Sequence, residues 1–279
     1  MADDSHFSGL RFGRAVDPIE IFGGICAEPL EGRGAYEGVV CLRERAISQA
    51  AAAVVGRYWQ TQKLYWHKKN RSLLAMVRFL ILELIRADRF SFDEYLAATV
   101  MSEPWESIRW IVSRFEGSNS EVETINPLRG YLQGQRVIHT RLLTLSPESA
   151  GRDIYVDGRI YSKIRSWPSL TLIDLEDEIR EEIMLRFGGS LARGELLIDT
   201  PRRDRANIGR KVKIVSDDRQ QVLGELSKFS SLARSLQAEY DLFAQRARIF
   251  VAPDVPDRLG VEKSVLRQGV HAFLQERLQ

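Results

Sequence analysis

The sequence predicts a mainly α-helical protein with a helical domain over residues 1–146 and a small α+β subdomain over residues 147–279. From about residue 42 to about residue 87 there is no proline and a single glycine, Gly56, and the stretch is rich in alanine, leucine, lysine and arginine. These residues favour helix. After residue 146 the pattern changes to short β-like runs that alternate with amphipathic helices, which is typical of a mixed fold.

The helical domain opens with a region predicted to be rich in loops, because residues 8–38 carry seven of the 20 glycines. The stretch 42–87 then predicts one very long helix, or two helices separated by a bend near Gly56. Its apolar part, Leu73 to Ile85, is about half as long as a membrane span and contains charges, so we interpret it as a core helix. Shorter helices are predicted over residues 92–101, 105–116 and 127–135. The first half is therefore predicted to be all-α.

The second part is predicted to contain four strands and two amphipathic helices. The β-like runs are Asp153–Val156, Glu195–Asp199, Lys211–Val215 and Arg248–Val251. The apolar stripe of the first helix consists of Leu175, Ile179, Ile183 and Phe187. The stripe of the second consists of Phe229, Leu232, Leu236, Tyr240 and Phe243.

Composition limits the classes of partner. Forty basic and 38 acidic residues leave a formal charge of +2, so no strong overall field attracts nucleic acid or an anionic membrane. Anion binding must therefore be local, and nucleic acid stays an open partner. Two cysteines are too few for a disulfide framework, and the first ten residues lack the pattern of a signal peptide. We expect a cytoplasmic protein that does not insert into a membrane.

One face of the long predicted helix carries groups suited to phosphate. On a continuous helix, an arc of about 120° holds Arg57, Thr61, Tyr65, Lys68, Arg71, Ser72 and Ala75. Arginine offers a fork of donors to phosphate oxygens and lysine a point charge, and small side chains at Ser72 and Ala75 would leave room for a ligand. The alternative is an ordinary solvated face.

A resemblance favours the first interpretation. Tyr65, His67, Lys68, Arg71 and Met76 stand in the spacing of the signature helix of deoxynucleotide triphosphohydrolases of the HD superfamily, which this stretch resembles. Leu74 and Thr61 depart from the family pattern, at positions where an acid and a further histidine are common. The resemblance implies that the helical domain is of HD type, that Arg57, Lys68 and Arg71 contact nucleotide phosphates, and that Tyr65 packs near the sugar.

Two further segments are similar to the same family. The run from Asp4 to Gly9 resembles a family segment whose aspartate lies near the sugar, which implies that Asp4 binds the nucleotide. Residues 196–251 resemble the family's distal subdomain in the order of their elements. The implied ligand is a nucleoside triphosphate, with the choice between deoxyribose and ribose left open.

The metal-binding motif that names the superfamily is missing. The sequence contains no His-Asp pair, and its four histidines, His6, His67, His139 and His271, are far apart. In the resembled family the last metal ligand precedes the segment around Asp4, so the HD-type domain is expected to be incomplete. We therefore predict no catalytic residue and no metal ligand in this chain, no cofactor bound by the chain alone, and a divalent metal only in a site completed by another chain. We interpret His139 and His271 as surface or packing residues.

Three functions remain open at this stage. The chain is the phosphate-binding part of a nucleotide phosphohydrolase that needs a separate chain or a missing N-terminal half for metal-dependent hydrolysis, or it is an inactive nucleotide-sensing or regulatory subunit. The third possibility is a helical oligomerisation protein, favoured by four aromatic residues, Trp59, Trp66, Trp105 and Trp110. The expected protein partner is a chain bearing the HD motif or a second copy of this chain.

Two charged clusters are further candidate binding sites. The acid-rich run 174–182 lies mainly opposite the Leu175 stripe, which favours a solvated helix face over a metal site. The basic cluster consists of Arg202, Arg203, Arg205, Arg210 and Lys211. It is a candidate for polyanion contact, with an ordinary basic turn as the alternative.

Overall fold

The computed structural model describes residues 17–29, 38–60, 67–100, 103–116, 138–146, 154–200, 212–218, 221–236 and 246–278. The described chain is mainly helical with two small mixed sheets. It divides into two compact units: Met1–His67 with Asp204–Ala244, and Lys68–Arg203 with Gln245–Gln279.

No helix among the described residues is both long and apolar enough to span a membrane.

The first unit is built on a four-stranded sheet. Its described elements are α1 (Pro18–Gly24), β1 (Ile25–Pro29), β2 (Gly38–Arg43), α2 (Ile47–Gln60), β6 (Lys213–Val215), β7 (Val222–Glu225) and α8 (Leu226–Phe229). The strand order is β1-β2-β6-β7, with β2 and β6 parallel and the other pairs antiparallel. Cys26 and Cys41 lie opposite each other on β1 and β2, and both are buried and reduced. Apolar residues of α2, among them Val54 and Tyr58, pack with Ile214 of β6 to form the core of this unit.

The second unit contains a larger helical shell around another four-stranded sheet. Its described helices are α3 (Lys68–Arg86), α4 (Phe92–Thr99), α5 (Pro104–Glu116), α6 (Gly158–Ser166), α7 (Ser169–Phe187), α9 (Val255–Leu259) and α10 (Lys263–Leu278). Its strands are β3 (Thr140–Ser146), β4 (Ile154–Val156), β5 (Leu196–Asp199) and β8 (Ala247–Val251). The order is β4-β3-β8-β5, with β3 and β4 parallel and β8 antiparallel to both of its neighbours.

This second sheet is covered on both faces. Side chains of a strand alternate between the two faces, so Ile198 and Ile249 pack with α6, α7 and α10, whereas Leu197 and Phe250 pack with α3 and α5. Phe250 is fully buried. Burial on both faces explains why β5 and β8 read as almost continuous apolar runs, and it makes the two charged residues within them, Asp199 and Arg248, exceptional.

Several predicted elements are confirmed. Helix α3 contains the predicted core helix Leu73–Ile85, and α4 and α5 match the predicted helices over 92–101 and 105–116. Four of the strands, β4, β5, β6 and β8, fall at the predicted runs. The Leu175 stripe is also confirmed: Leu175, Ile179 and Ile183 are buried and Phe187 packs beside them. The helix predicted over 127–135 lies outside the described residues.

The prediction that the first half is all-α is wrong. Strands β1, β2 and β3 all lie within residues 1–146, and the glycine-rich region 8–38 contains α1 and β1 in its described part. A strand needs partners, and β2 pairs with β6 and β3 pairs with β8, each more than 100 residues away. Local composition carries no signal for such pairing.

The long helical stretch is divided, but not where predicted. Helix α2 ends at Gln60, and α3 begins at Lys68. Gly56 lies buried inside α2 and is no bend. Residues 61–66 between the two helices lie outside the described residues.

The second amphipathic helix was predicted to be one helix with an apolar stripe from Phe229 to Phe243. This prediction is wrong at the start of the stripe. Helix α8 ends at Phe229 because Ser230 adopts an extended conformation, and a separate helical stretch follows over residues 231–236. Phe229 and Leu232 are exposed, whereas Leu236 packs against the core of the first unit. Tyr240 and Phe243 lie outside the described residues.

The boundaries between the two compact units follow residues 67, 203 and 244, whereas the predicted domain boundary lies between residues 146 and 147. That boundary stays a prediction. In the second unit, β3 precedes residue 147 and pairs with β4 and β8, which follow it.

Candidate anion-binding site

The predicted site residues fall into three groups. Asp4 and Tyr65 lie outside the described residues. Arg57 is exposed in the last turn of α2, in the first unit. Lys68 and Arg71 lie in the first turn of α3, in the second unit, where Lys68 is exposed and Arg71 is partly buried.

The prediction of one continuous stripe is wrong, because its members do not share one helix. Arg57 belongs to α2, whereas Lys68 and Arg71 belong to α3. Helical spacing therefore does not place Arg57 beside them. The part of the stripe that α3 itself carries comprises Lys68, Arg71, Ser72 and Ala75.

Ser72 and Ala75 do not leave room for a ligand. Both are buried, and the hydroxyl of Ser72 donates a hydrogen bond to the backbone oxygen of His139 at 2.8 Å. Ala75 packs in the core formed by α3, α5 and the sheet. Small residues were predicted here for ligand access, but their size instead allows α3 to lie close to its own core.

Arg71 is held in place by a carboxylate. Its Nε donates to Oδ2 of Asp199 at 2.7 Å, and its Nη2 donates to Oδ1 of the same group. This two-point geometry fixes the guanidinium plane, which a lysine could not reproduce. The side chain of Asp199 is only 5% exposed, so the pair lies in an environment where charges interact strongly.

A second arginine reaches the same carboxylate from the sheet. Arg248 lies directly opposite Asp199 on the neighbouring strand, and its Nη1 lies 3.9 Å from Oδ2. Its side chain is only 8% exposed. Asp199 therefore stands between two guanidinium groups, one from the helix and one from the sheet.

Lys68 completes the charged start of α3. The first turn of this helix contains Lys68, Lys69 and Arg71 and no acidic residue. Cations at a helix N-terminus are repelled by the positive end of the helix dipole and by the unpaired backbone N–H groups. An anion at this end would be stabilised by both the side chains and the dipole.

Sequence reasoning missed Asp199 and Arg248 as members of this cluster. Both fall at the ends of predicted strands, and a charged residue inside a run of Leu, Ile, Val and Phe was the available signal. Such a residue is rarely buried unless it is paired. Its partner could not be identified, because Arg71 lies 128 positions before Asp199.

Two of the three described histidines, His139 and His271, behave as packing residues, whereas His67 is exposed. His139 is buried and its Nε2 donates to the backbone oxygen of Gly194 at 2.7 Å. Burial lowers its pKa to about 4, so the ring is neutral at pH 7. His271 stacks on Tyr155 with ring centroids 4.0 Å apart. The prediction for these two is confirmed, and His6 lies outside the described residues.

The acid-rich run is only partly a solvated face. Asp174 and Glu181 are exposed, as predicted, and the partly exposed Glu178 pairs with Arg277. Glu176, however, is buried, with its Oε1 accepting from Arg78 at 2.6 Å and from the backbone N–H of Ile198 at 2.7 Å. The predicted basic cluster Arg202–Lys211 lies outside the described residues.

Two of the tryptophans can be placed. Trp110 packs with Phe90 and Tyr95 in the second unit, and Trp59 packs against the core of the first. Both therefore have partners within their own units. Nothing is described of Trp66 or of the side chain of Trp105.

The sequence matches no protein-family model and no curated protein. The HD-type identity of the helical part therefore stays a prediction. What the described residues support directly is a cluster of cations around one buried carboxylate at the start of α3.

Proposed function

We propose that this chain binds the phosphate groups of a nucleoside triphosphate and is the phosphate-binding part of an HD-type phosphohydrolase. The observation that carries the proposal is the cationic first turn of α3, where Asp199 holds Arg71 beside the exposed Lys68. Charge that opposes the helix dipole is best explained by an anionic ligand. The proposal places the protein in the cytoplasm, in agreement with two buried, reduced cysteines.

The two described residues of this turn have different roles in the proposal. Lys68, exposed and flexible, supplies a point charge that can follow the phosphate chain. Arg71 already shares a carboxylate with Arg248, so it is fixed before the ligand arrives and acts mainly through its charge. Arg57, Tyr65 and Asp4 enter the proposal from the family resemblance alone.

Among the residues that the structure describes, no group of His, Cys, Asp and Glu side chains fits the divalent metal of the resembled enzymes. The sequence contains no His-Asp pair, and the ring nitrogen Nε2 of His139 is already used on a backbone oxygen. His271 is stacked on Tyr155. We therefore propose that this chain binds and positions phosphate, and that the metal ligands come from a separate chain bearing the HD motif.

Binding without hydrolysis is the expected behaviour of the purified chain. In calorimetric titrations with the four deoxynucleoside triphosphates and ATP, at least one should bind, and none should release phosphate or triphosphate with Mg²⁺ or Mn²⁺ present. The double variant Arg57→Ala/Lys68→Ala should bind about a hundredfold more weakly, since each lost charged contact contributes about 1.5 kcal/mol.

A matched control is the double variant Arg114→Ala/Arg277→Ala, which removes two exposed arginines that pair with Glu94 and Glu178. It should bind like the unchanged chain. Equal loss in both double variants, or hydrolysis by the purified chain, would contradict the proposal. A bound nucleotide that is never hydrolysed after addition of a candidate HD-bearing chain would favour a regulatory subunit instead.

A further inference from the structure

The two cysteines of the chain face each other in the first sheet. Cys26 on β1 and Cys41 on β2 are direct partners in the antiparallel register, and the sequence contains no further cysteine. The thiol of Cys26 lies 3.7 Å from the backbone oxygen of Cys41, so its sulfur already points towards the neighbouring strand. Two cysteines placed independently along 279 residues would rarely meet as direct strand partners. The proposed phosphate site does not explain this pairing.

The distance between the two strands suits a disulfide. Directly opposite residues of an antiparallel pair have Cα atoms about 4.5–5.5 Å apart, and a disulfide joins residues whose Cα atoms are about 4.4–6.8 Å apart. The Cβ atoms are about 4.5–5.5 Å apart in such a pair and about 3.5–4.5 Å apart in a disulfide. A small approach of the two side chains, within the existing register, would therefore allow the bond.

Contacts beside the two strands hold them in this register. Gly24 lies directly before β1 and is buried against Ala46, because a Cβ atom at position 24 would lie only 2.5 Å from the Cβ atom of Ala46. Arg45 donates a hydrogen bond from its Nη2 to the backbone oxygen of Gly23 at 2.8 Å. Both contacts join residues that precede β1 to residues that follow β2. The fold thus keeps the two thiols opposite each other.

An oxidant can reach the pair from the edge of the sheet. Among the described strands of this sheet, β1 lies at the edge and pairs with β2 alone. An edge strand opens locally more readily than an inner strand. Cys26 on this strand is 7% exposed, whereas Cys41 on the inner strand is fully buried. The neighbour of Cys41 on β6 is the exposed Lys213, whose charge attracts an anionic oxidant such as glutathione disulfide. Cys26 is therefore the sulfur that an oxidant meets first.

We propose that Cys26 and Cys41 form a reversible disulfide that joins β1 to β2 when the protein meets an oxidising disulfide. The Cys26 thiolate attacks one sulfur of glutathione disulfide, which releases one glutathione thiolate and leaves a mixed disulfide at Cys26. The Cys41 thiolate then attacks the Cys26 sulfur and releases the second glutathione. The cysteines lose two protons and two electrons, and glutathione disulfide is reduced to two molecules of glutathione. Disulfides in a reducing compartment are usually transient or redox-sensing, in agreement with such a bond.

The bond should stabilise the first unit. It closes the chain between residues 26 and 41 and so restricts the unfolded state. For a loop of this length, the midpoint of thermal unfolding should rise by about 10 °C. Neither cysteine belongs to the residues of the proposed phosphate site, so the inference stands or fails independently of the proposed function.

Oxidation of the full chain tests the proposal directly. The chain is incubated at a series of ratios of glutathione disulfide to glutathione, and the products are identified by intact mass and peptide mapping. The expected product lacks two hydrogen atoms, carries no bound glutathione and yields two peptides joined through Cys26 and Cys41. Its yield should not depend on protein concentration, since the bond forms within one chain. Dithiothreitol should restore the original mass and the original midpoint of unfolding.

Cys26→Ala is the matched variant, because it removes the more accessible thiol and leaves a small apolar side chain on β1. Its midpoint of unfolding should be the same in glutathione and in glutathione disulfide, whereas that of the unchanged chain should rise in the disulfide. An equal rise in both chains would contradict the proposal.

The oxidation of the unchanged chain decides the matter even if Cys26→Ala fails to fold. Separate mixed disulfides on Cys26 and Cys41, or a bond between two chains, would overturn the inference. So would a folded chain that stays reduced under conditions in which the urea-unfolded chain forms the bond.

Discussion

Replacing Asp199 by alanine should destabilise the second unit by about 3–5 kcal/mol, which is the cost of leaving buried charge without its partner. Asp199 accepts two hydrogen bonds from Arg71 and lies 3.9 Å from Arg248. Both guanidinium groups lose their shared carboxylate in the variant. Urea unfolding followed by tryptophan fluorescence measures the change in the free energy of unfolding.

Asp174→Ala is the matched control for this prediction. Asp174 also pairs with an arginine, Arg86 at 2.5 Å, but its side chain is 63% exposed. Pairs at the surface contribute about 0–1 kcal/mol because water screens them. If Asp199→Ala and Asp174→Ala cost the same within about 1 kcal/mol, the buried carboxylate does not organise the cluster.

A double variant shows where the destabilisation of Asp199→Ala comes from. Arg71→Met/Asp199→Ala removes both members of the hydrogen-bonded pair and keeps an apolar stem in place of Arg71. Removing both partners should be less damaging than removing the carboxylate alone, because no uncompensated charge is left at position 71.

The helices were predictable because their signals are local. Ser91 caps α4 through a hydrogen bond to the backbone of Glu94, and Pro104 opens α5. The apolar positions of α3 and α7 repeat at helical spacing over 19 residues in each case. Caps, prolines and periodicity lie within a few residues of the helix that they specify.

The strands of the first half were missed for the opposite reason. Strand β3 carries the run Leu142-Leu143-Thr144-Leu145, which by periodicity alone fits a buried helix as well as a buried strand. Only its pairing with β8, more than 100 residues later, decides between them. The glycine-rich region around β1 was likewise interpreted as loop, although β1 pairs with β2 in a regular antiparallel ladder.

In the candidate site, too, local features were predictable from the sequence, and contacts between residues distant in sequence were not. The residue types at Lys68 and Arg71 were identified from the sequence, and the fixed geometry of Arg71 was not. It depends on Asp199, a strand residue far away in sequence. The small residues Ser72 and Ala75 were interpreted as ligand space, whereas the structure places both in the core. Sequence spacing specifies which side chains share a helix face, and tertiary packing decides what covers it.

Glu176 was assigned to a solvated face because α7 was assumed to be covered on one side only. The helix lies between two apolar clusters instead: Leu175 and Ile179 pack in one, and Ile173 packs in the other. The second cluster brings α3 against α7, so Arg78 reaches the Glu176 carboxylate. The helix thus buries a position that an amphipathic pattern assigns to solvent.

Burial gives Glu176 a predictable effect on stability. It raises the pKa of this carboxyl from 4.5 to about 7, and Arg78 and the N–H of Ile198 only partly oppose this shift. Between these pH values the folded chain holds a proton that the unfolded chain has released. The contribution of Glu176 to the free energy of unfolding is therefore complete below about pH 4.5 and is lost as the pH rises towards 7.

The lowered pKa of His139 makes stability change with pH in the opposite direction. In the unchanged chain this partly cancels the pH dependence that Glu176 causes. Between about pH 4 and 6.5 the unfolded chain binds a proton that the buried imidazole does not, so stability rises with pH over that range. The two contributions offset each other up to about pH 6.5. The contribution of His139 cancels when the free energies of unfolding of two chains that both retain His139 are subtracted.

Glu176→Gln should therefore gain stability relative to the unchanged chain as the pH rises from 4.5 to 7, by about 3 kcal/mol in total since one pKa unit is about 1.4 kcal/mol. The amide keeps an acceptor for the Ile198 N–H and has no charge to bury. Urea unfolding at closely spaced pH values measures the difference. Glu178→Gln, on the same helix but 40% exposed, is the control and should show almost no such trend. A pH-independent difference for Glu176→Gln would mean that the carboxylate is stabilised by Arg78 as well as it is by water.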